Sequence, residues 1–301
     1  MARGVLLLGI LIISFSAVFV RLAAAPPDTA AFFRAAYALP WLGVLWWLFA
    51  RRRDTRPFRA RWQAVLAGVF LGVDLSFWHR AIETIGAGLS TVLGNTQVVF
   101  VGAAAWLLHR ERPSRSALLT LPVVFAGVVL ISGLGRPDAY GSAPLRGVVF
   151  GLLTGVTYAA FLLLLRYSNR QLAPPLGPML DATLGAGAIS LVVGLADGGL
   201  DFTVTWPSHG WLAALALGSQ VIGWSLITIT LPRLPALETS VLLLLQPAIT
   251  MGWGLLLFQE RLSPLQWSGA ALVLAGVGWL STRGSVAVSR KVDPARGQGD
   301  G

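Results

Sequence analysis

Apolar residues run along this chain in blocks of about 20, separated by short stretches that concentrate arginine, proline and glycine. A helix rises about 1.5 Å per residue, so such a block covers roughly 30 Å, the thickness of a bilayer's hydrocarbon core. The blocks predict about ten spans, near 5–25, 29–49, 62–82, 86–108, 117–134, 147–165, 177–196, 209–230, 236–257 and 265–281. The expected fold class is an all-α polytopic membrane protein. The first block is expected to be a span rather than a cleaved leader. Its apolar core is long, Arg21 stands where a cleavage region would be, and the next block follows within a few residues. The segment 284–301 mixes Gly, Ser and charge without apolar periodicity and predicts a disordered tail.

Composition agrees. With 55% hydrophobic and 12% charged residues, a soluble domain would lack polar surface. The formal charge of +10 does not point to nucleic acid, because the arginines lie between spans rather than along one solvated face. They collect in alternate loops: Arg51, Arg52, Arg53, Arg56, Arg59 and Arg61, then Arg110, Arg112 and Arg115, then Arg166 and Arg170, then Arg233, then the tail. By the positive-inside rule both termini are cytoplasmic and the membrane is an inner membrane. The absence of cysteine excludes disulfides, thiolate chemistry and iron–sulfur clusters. His79, His109 and His209 lie in separate segments, without H-E-x-x-H, and no G-K-[ST] phosphate loop occurs. No cofactor or metal is expected, and ATP is not hydrolysed by this chain.

Shifting the chain by about 147 residues lays its second half on its first. Ala25-Pro26-Pro27 recurs as Ala173-Pro174-Pro175, and Leu71-Gly72 with Trp78 recurs as Leu217-Gly218 with Trp224. Gln97 answers Gln246, Glu111-Arg112-Pro113-Ser114 answers Glu260-Arg261-Leu262-Ser263, and Ala126-Gly127-Val128 answers Ala275-Gly276-Val277. The repeats are taken as 1–140 and 141–283, with 284–301 as the tail. Five spans is an odd number, so the second copy enters the membrane from the other side. Such inverted repeats place a pocket near the midplane where the halves meet.

Candidate pocket residues are the polar and aromatic side chains inside the spans. Asp74 stands out, because an ionisable group in mid-span costs at least about 2.5–3.5 kcal/mol and so faces a cavity or a partner. Trp78 lies one turn on, and the counterparts Gln220 and Trp224 keep that i, i+4 spacing, which places each pair on one helix face. Arg34, on a stripe with Tyr37, can hold a carboxylate or snorkel to the interface. Asn95 and Gln97 in span four, Gln246 in span nine and Tyr158 in span six complete the cavity candidates. His79, Arg80 and Asp181 are candidates for a gate or for coupling. Glu111 and Glu260 end their helices at the negative pole of the dipole and read as turn elements. Ser263 with Gln266 reads as a capping box, and Gly68-x-x-x-Gly72 and Gly151-x-x-x-Gly155 as packing faces.

These residues resemble the ten-helix EamA-type transporters of the drug/metabolite transporter superfamily over roughly residues 5–283. The resemblance is carried by Arg34, by Phe77-Trp78-His79-Arg80-Ala81-Ile82 running into Gly86-Ala87-Gly88, by the two Glu-Arg helix ends and by Gln246-Pro247. It implies secondary transport, commonly export, of an amino acid or another small metabolite from a cavity lined by both halves. One departure is Val98, where the family often has proline while Pro247 is kept. A proline kink is therefore not expected in span four. The partners expected are a small-molecule substrate and the lipid bilayer, with a proton acting through Asp74 as one option for coupling. Monomer and homodimer both stay open. A lipid-linked substrate flippase, a non-transporting scaffold and an intramembrane enzyme using Asp74 and His79 are the alternatives. The enzyme is disfavoured because five residues turn a helix about 140° beyond a full turn, so the two groups diverge.

Overall fold

The structure is a computed structural model, and it describes residues 2–111, 113–131, 144–170, 174–259 and 263–289. Side-chain surroundings are given for these residues except 83, 85–89, 109, 131, 144 and 281–289. Every regular element among them is a helix.

Helix α1 (Ala2–Ala23) ends at Ala24, whose left-handed φ of 48° turns the chain into Pro26. Helix α2 (Pro27–Ala50) opens with a proline, whose missing N–H costs nothing in a first turn, and with Asp28 at the positive end of the helix dipole. Then come α3 (Phe58–Ile82), α4 (Ser90–Leu108), α5 (Arg115–Ile131), α6 (Leu145–Ser168), α7 (Leu176–Asp197), α8 (Ser208–Arg233), α9 (Ala236–Phe258) and α10 (Pro264–Ser289). Eight of these segments, α1–α4 and α6–α9, are long and apolar enough to cross a bilayer, while α5 is a shorter apolar helix. Helix α10 reaches six residues into the expected tail, whose remainder lies outside the described residues. Large apolar side chains such as Trp47, Phe49, Leu107 and Leu119 point outward, while Leu6, Leu42, Phe161, Met179 and Ile227 are buried.

Helical hydrogen bonding continues from Phe58 to Gly94, across the expected boundary between spans three and four. In a straight helix Trp78 and Gly94, 16 positions apart, would be separated by about 24 Å. Yet a Cβ on Gly94 would stand 4.0 Å from the Trp78 ring. The rod therefore bends between them and brings the start of α4 beside Trp78 of α3.

Two helices break at corresponding places. In α4 the break falls at Asn95 and Thr96, and in α9 at Leu244. The N–H groups of Thr96 and Leu244 reach back only three residues, to Leu93 and Val241. Proline supplies neither break in full, since α4 has Val98 where α9 has Pro247. Instead Asn95 Nδ2 donates to the Thr91 carbonyl at 2.8 Å and Thr96 Oγ1 to that of Leu93 at 2.5 Å. These polar side chains add a second hydrogen bond to carbonyls that already accept backbone N–H groups, a pattern that accompanies bent helices, and span four is interrupted without the proline. The same offset of 149 relates Arg110 and Gln259, both left-handed at φ 53°, which end α4 and α9.

Small residues set the closest crossings. A Cβ on Gly68 of α3 would collide with the Ala182 backbone of α7, and one on Gly185 of α7 with the Val65 backbone. Gly151 and Gly155 of α6 press on Leu93, Thr96 and Gln97 of α4. Gly127 of α5 meets Gly269 and Val273 of α10, while Gly276 of α10 meets Val124 of α5. Because the obstacles at Gly68 are backbone atoms, Gly68→Val has no rotamer that relieves the overlap. It is expected to cost about 1–3 kcal/mol or more and to lower the melting temperature in detergent, read by thermal-shift fluorescence. Gly43→Ala in α2, where a Cβ meets nothing within 4 Å, is the control and should leave it unchanged.

Candidate functional site

At one end of the bundle, three groups of ion pairs join residues before position 140 to residues after it. Arg3 Nε meets Glu238 Oε1 at 2.6 Å, linking α1 to α9. Arg166 Nη1 at the end of α6 meets Glu111 Oε2 at 3.0 Å, and the same carboxylate accepts the Ala236 N–H at the start of α9. Glu111 gains nothing from its own helix but lies against the positive end of another, which the sequence does not reveal. Its counterpart Glu260 lies outside the described residues. In the third group Arg56 holds Asp54 through Nε and Nη2 at 2.7 and 2.9 Å and reaches Asp181 Oδ2 of α7 at 2.8 Å, while Trp46 Nε1 donates to Asp54 at 2.9 Å.

Burial alone would raise the Asp54 carboxyl, but hydrogen bonds from Arg56 and Trp46, with the Arg56 charge, hold it below the ordinary carboxyl range. A depressed folded value stabilises the fold above the unfolded value of about 3.9, and that stability is lost as pH falls through the folded value. Thermal stability is therefore expected to drop below about pH 4. Asp54→Asn should flatten this drop while costing about 3 kcal/mol at pH 7, because the Asp54 and Arg56 side chains are only 0% and 1% exposed.

Away from this end a cavity of about 650 Å³ runs from the middle of the bundle toward the opposite helix ends. Leu71, Tyr158, Trp224 and Gln246 lie at its inner part, and Arg21, Ala30, His79 and Gln266 near those ends. Of the expected residues, Arg34, Asp74, Trp78, His79, Asn95, Tyr158, Trp224 and Gln246 line it. Asp74 is 7% exposed, and its Oδ1 has no hydrogen-bond partner among the described residues. Neither of its two proposed structural partners forms an ion pair with it there. Arg34 donates Nε to Gln220 Oε1 at 2.9 Å, and Arg80 is taken by Ser76 and by Asp197 of α7. The cavity thus holds a guanidinium and a carboxyl group that form no ion pair with each other.

Five expected residues lie elsewhere. Gln97 is fully buried beside the cavity, with neither amide atom partnered among the described residues. Tyr37 turns away, its hydroxyl 2.6 Å from His209 Nδ1. Arg80 bridges to Asp197, and Asp181 belongs to the ion-pair end. Gln220 sits behind Arg34, within the π-helical stretch Ala216–Gly223, and is not part of the cavity wall. Its spacing of four to Trp224, the same as that of Asp74 to Trp78, does not by itself bring both side chains to the cavity.

The polar stripe of α9 also divides. Gln246 and Thr250 both line the cavity, Thr250 Oγ1 also donating to the Ser14 carbonyl at 3.2 Å, whereas Trp253 lies outside it and donates Nε1 to Ser14 Oγ at 2.8 Å, where α1 is interrupted at Phe15. Ser16, Thr154 and Gln266 line the cavity without having been singled out for it. Thr154 stands one turn before Tyr158 on the same face, a signal that was available. Gln266 was read only as a cap, and it is one: Ser263 N donates to its Oε1 at 3.0 Å.

The EamA-like transporter family matches this sequence twice, over residues 3–133 and 145–282. The chain belongs to that family. EamA membership makes it a transporter of the drug/metabolite superfamily and a multi-pass membrane protein, with lipid around it and a small molecule as cargo. A Bacillus subtilis relative, the uncharacterized transporter YcbK, is 26% identical over 259 residues, 81% of this chain and 80% of its own. The threonine/homoserine exporter RhtA of Escherichia coli is 25% identical over 228 residues, 73% of each chain. An uncharacterized Pseudomonas aeruginosa protein is 28% identical over 76% of each. A solved crystal structure superposes with a TM-score of 0.79 over 97% of this chain and 99% of the other, at 16% identity, and so shares the fold.

Proposed function

We propose that this EamA transporter exports an amino acid or a closely related zwitterion across the inner membrane by alternating access, through ten spans arranged as two inverted repeats of five. The observation that carries the reading is the pair Arg34 and Asp74, of opposite charge and unpaired with each other, in one cavity among apolar helices. A carboxylate on Arg34 and an ammonium on Asp74 would repay the desolvation of both residues, which no neutral solute could do. The volume of about 650 Å³ exceeds that of such a solute and leaves the aromatic walls of Trp78, Tyr158 and Trp224 for its side chain.

Matched breaks in α4 and α9, matched left-handed residues at 110 and 259, and reciprocal Gly127 and Gly276 contacts support a twofold-related pair of halves. The arginine-rich loops lie at the ion-pair end. By the positive-inside rule that end and both termini are cytoplasmic, and the cavity faces outward. The relative RhtA, a threonine/homoserine exporter, supports amino acids as the class. Protons entering from outside would compete with the substrate ammonium for Asp74, which couples proton entry to substrate exit.

The test is a growth screen of an overexpressing strain against toxic amino-acid analogues. Resistance at several-fold higher analogue concentrations is expected, and Arg34→Ala should remove it. Sensitivity unchanged across the panel, with folded protein in the membrane, would refute the reading.

A further inference from the structure

Arg34 has two ways to fail as a carboxylate site. A long guanidinium on a span can snorkel to the interface, or it can be neutralised by a neighbouring acid. Both are avoided by one residue. Gln220 is 1% exposed, and both ends of its amide are used: Oε1 accepts from Arg34 Nε at 2.9 Å and Nε2 donates to Thr183 Oγ1 of α7 at 3.0 Å. The amide orientation is fixed by chemistry, because a guanidinium offers only donors.

We propose that Gln220 is a positioning residue that, anchored on Thr183, holds Arg34 by Nε and leaves its two Nη groups charged and available to an anion in the cavity. The inference rests on the zwitterion reading for the anion's identity, but not for the tether itself. Position 220 lies in the π-helical stretch Ala216–Gly223, and its amide stands between Arg34 of α2 and Thr183 of α7. The residue type matters as much. Position 220 answers position 74 in the repeat, and the two have diverged: one copy offers the cavity a carboxylate, the other offers Arg34 a neutral acceptor. An acid at 220 would lock Arg34 in an ion pair and compete with the substrate. An apolar residue would leave Nε unpaired and the side chain free to swing.

The experiment labels the purified protein in detergent with phenylglyoxal, which reacts at guanidinium nitrogens, and follows Arg34 by peptide mass spectrometry. An equimolar mixture of the protein amino acids without arginine and cysteine, which would consume the reagent, is added as the protecting probe. Gln220→Glu is expected to slow Arg34 labelling at least fivefold and to raise the half-protecting concentration at least tenfold. Thr183→Val should raise that concentration severalfold, and Thr183→Ser, which keeps the hydroxyl, should restore it. A merely structural role would change melting temperature without this rescue pattern.

Unchanged labelling and protection in Gln220→Glu and Thr183→Val would overturn the proposal. If Gln220→Glu does not fold, the Thr183 pair decides. If Gln220→Glu slows labelling but amino acids protect neither form, the tether stands and the amino-acid reading falls.

Discussion

Asp74→Asn is expected to reduce transport driven by a pH gradient in proteoliposomes by about 30- to 3,000-fold, the range that about 2–5 kcal/mol represents when one partner of a buried charge contact is lost. The substitution keeps the shape and hydrogen-bonding reach of the side chain, so a large loss cannot come from packing. Stability should hold or rise, because a carboxylate in mid-span costs at least about 2.5–3.5 kcal/mol and Asp74 Oδ1 has no partner among the described residues to repay it. Counterflow, in which labelled substrate exchanges against unlabelled substrate without a gradient, separates the two roles given to this carboxylate. If gradient-driven flux is lost and exchange survives, Asp74 is the proton site. If both are lost, it is the ammonium site as well. Undiminished flux under a pH gradient would remove Asp74 from the mechanism.

Joining the closed end covalently should stop transport altogether. Arg3 with Glu238, Glu111 with Arg166 and Arg56 with Asp181 all sit at one end of the bundle, and each couples the first half of the chain to the second. Alternating access requires that end to open, so all three contacts must separate in every cycle. The chain has no cysteine, which makes Arg3→Cys with Glu238→Cys the only thiols present. Bridging them with a bifunctional maleimide is expected to lower flux at least 20-fold, while either single variant treated alike should stay within about twofold of its untreated rate. A cleavable linker should restore flux when it is reduced. Full transport with the bridge in place, verified by mass, would mean that this end does not open and that the halves do not rock. Neutralising the contacts should instead favour the inward-open form. The Arg3–Glu238 and Arg166–Glu111 pairs are part-buried, and the Arg56 group, the most deeply buried of the three, should dominate that shift.

The two predictions depend on features of unequal legibility. That the chain lies in a membrane, where its spans begin and end within a few residues, and that Asp74 and Arg34 are anomalous inside them all follow from apolar run length and the cost of burying charge. A likeness between the two halves can be read from the sequence as well, because Pro-Pro, Trp78 with Trp224, and Gln97 with Gln246 recur at offsets of 148, 146 and 149. Less was available for span four, where the helix breaks at Asn95 and Thr96 without a proline. Only the three-dimensional path reveals that Glu111 ends against α9.

By itself the sequence determined a bundle of apolar helices, arginine-rich at alternate loops and carrying two opposite charges in mid-span, because hydrocarbon thickness and desolvation act on residues one at a time. Which side chains share the cavity was decided by the tertiary structure, since that depends on each helix's rotation about its axis and on its neighbours. Gln220 makes the difference plain. Its spacing to Trp224 matches that of Asp74 to Trp78, yet in the packed bundle its amide lies out of the cavity, on Arg34 and Thr183.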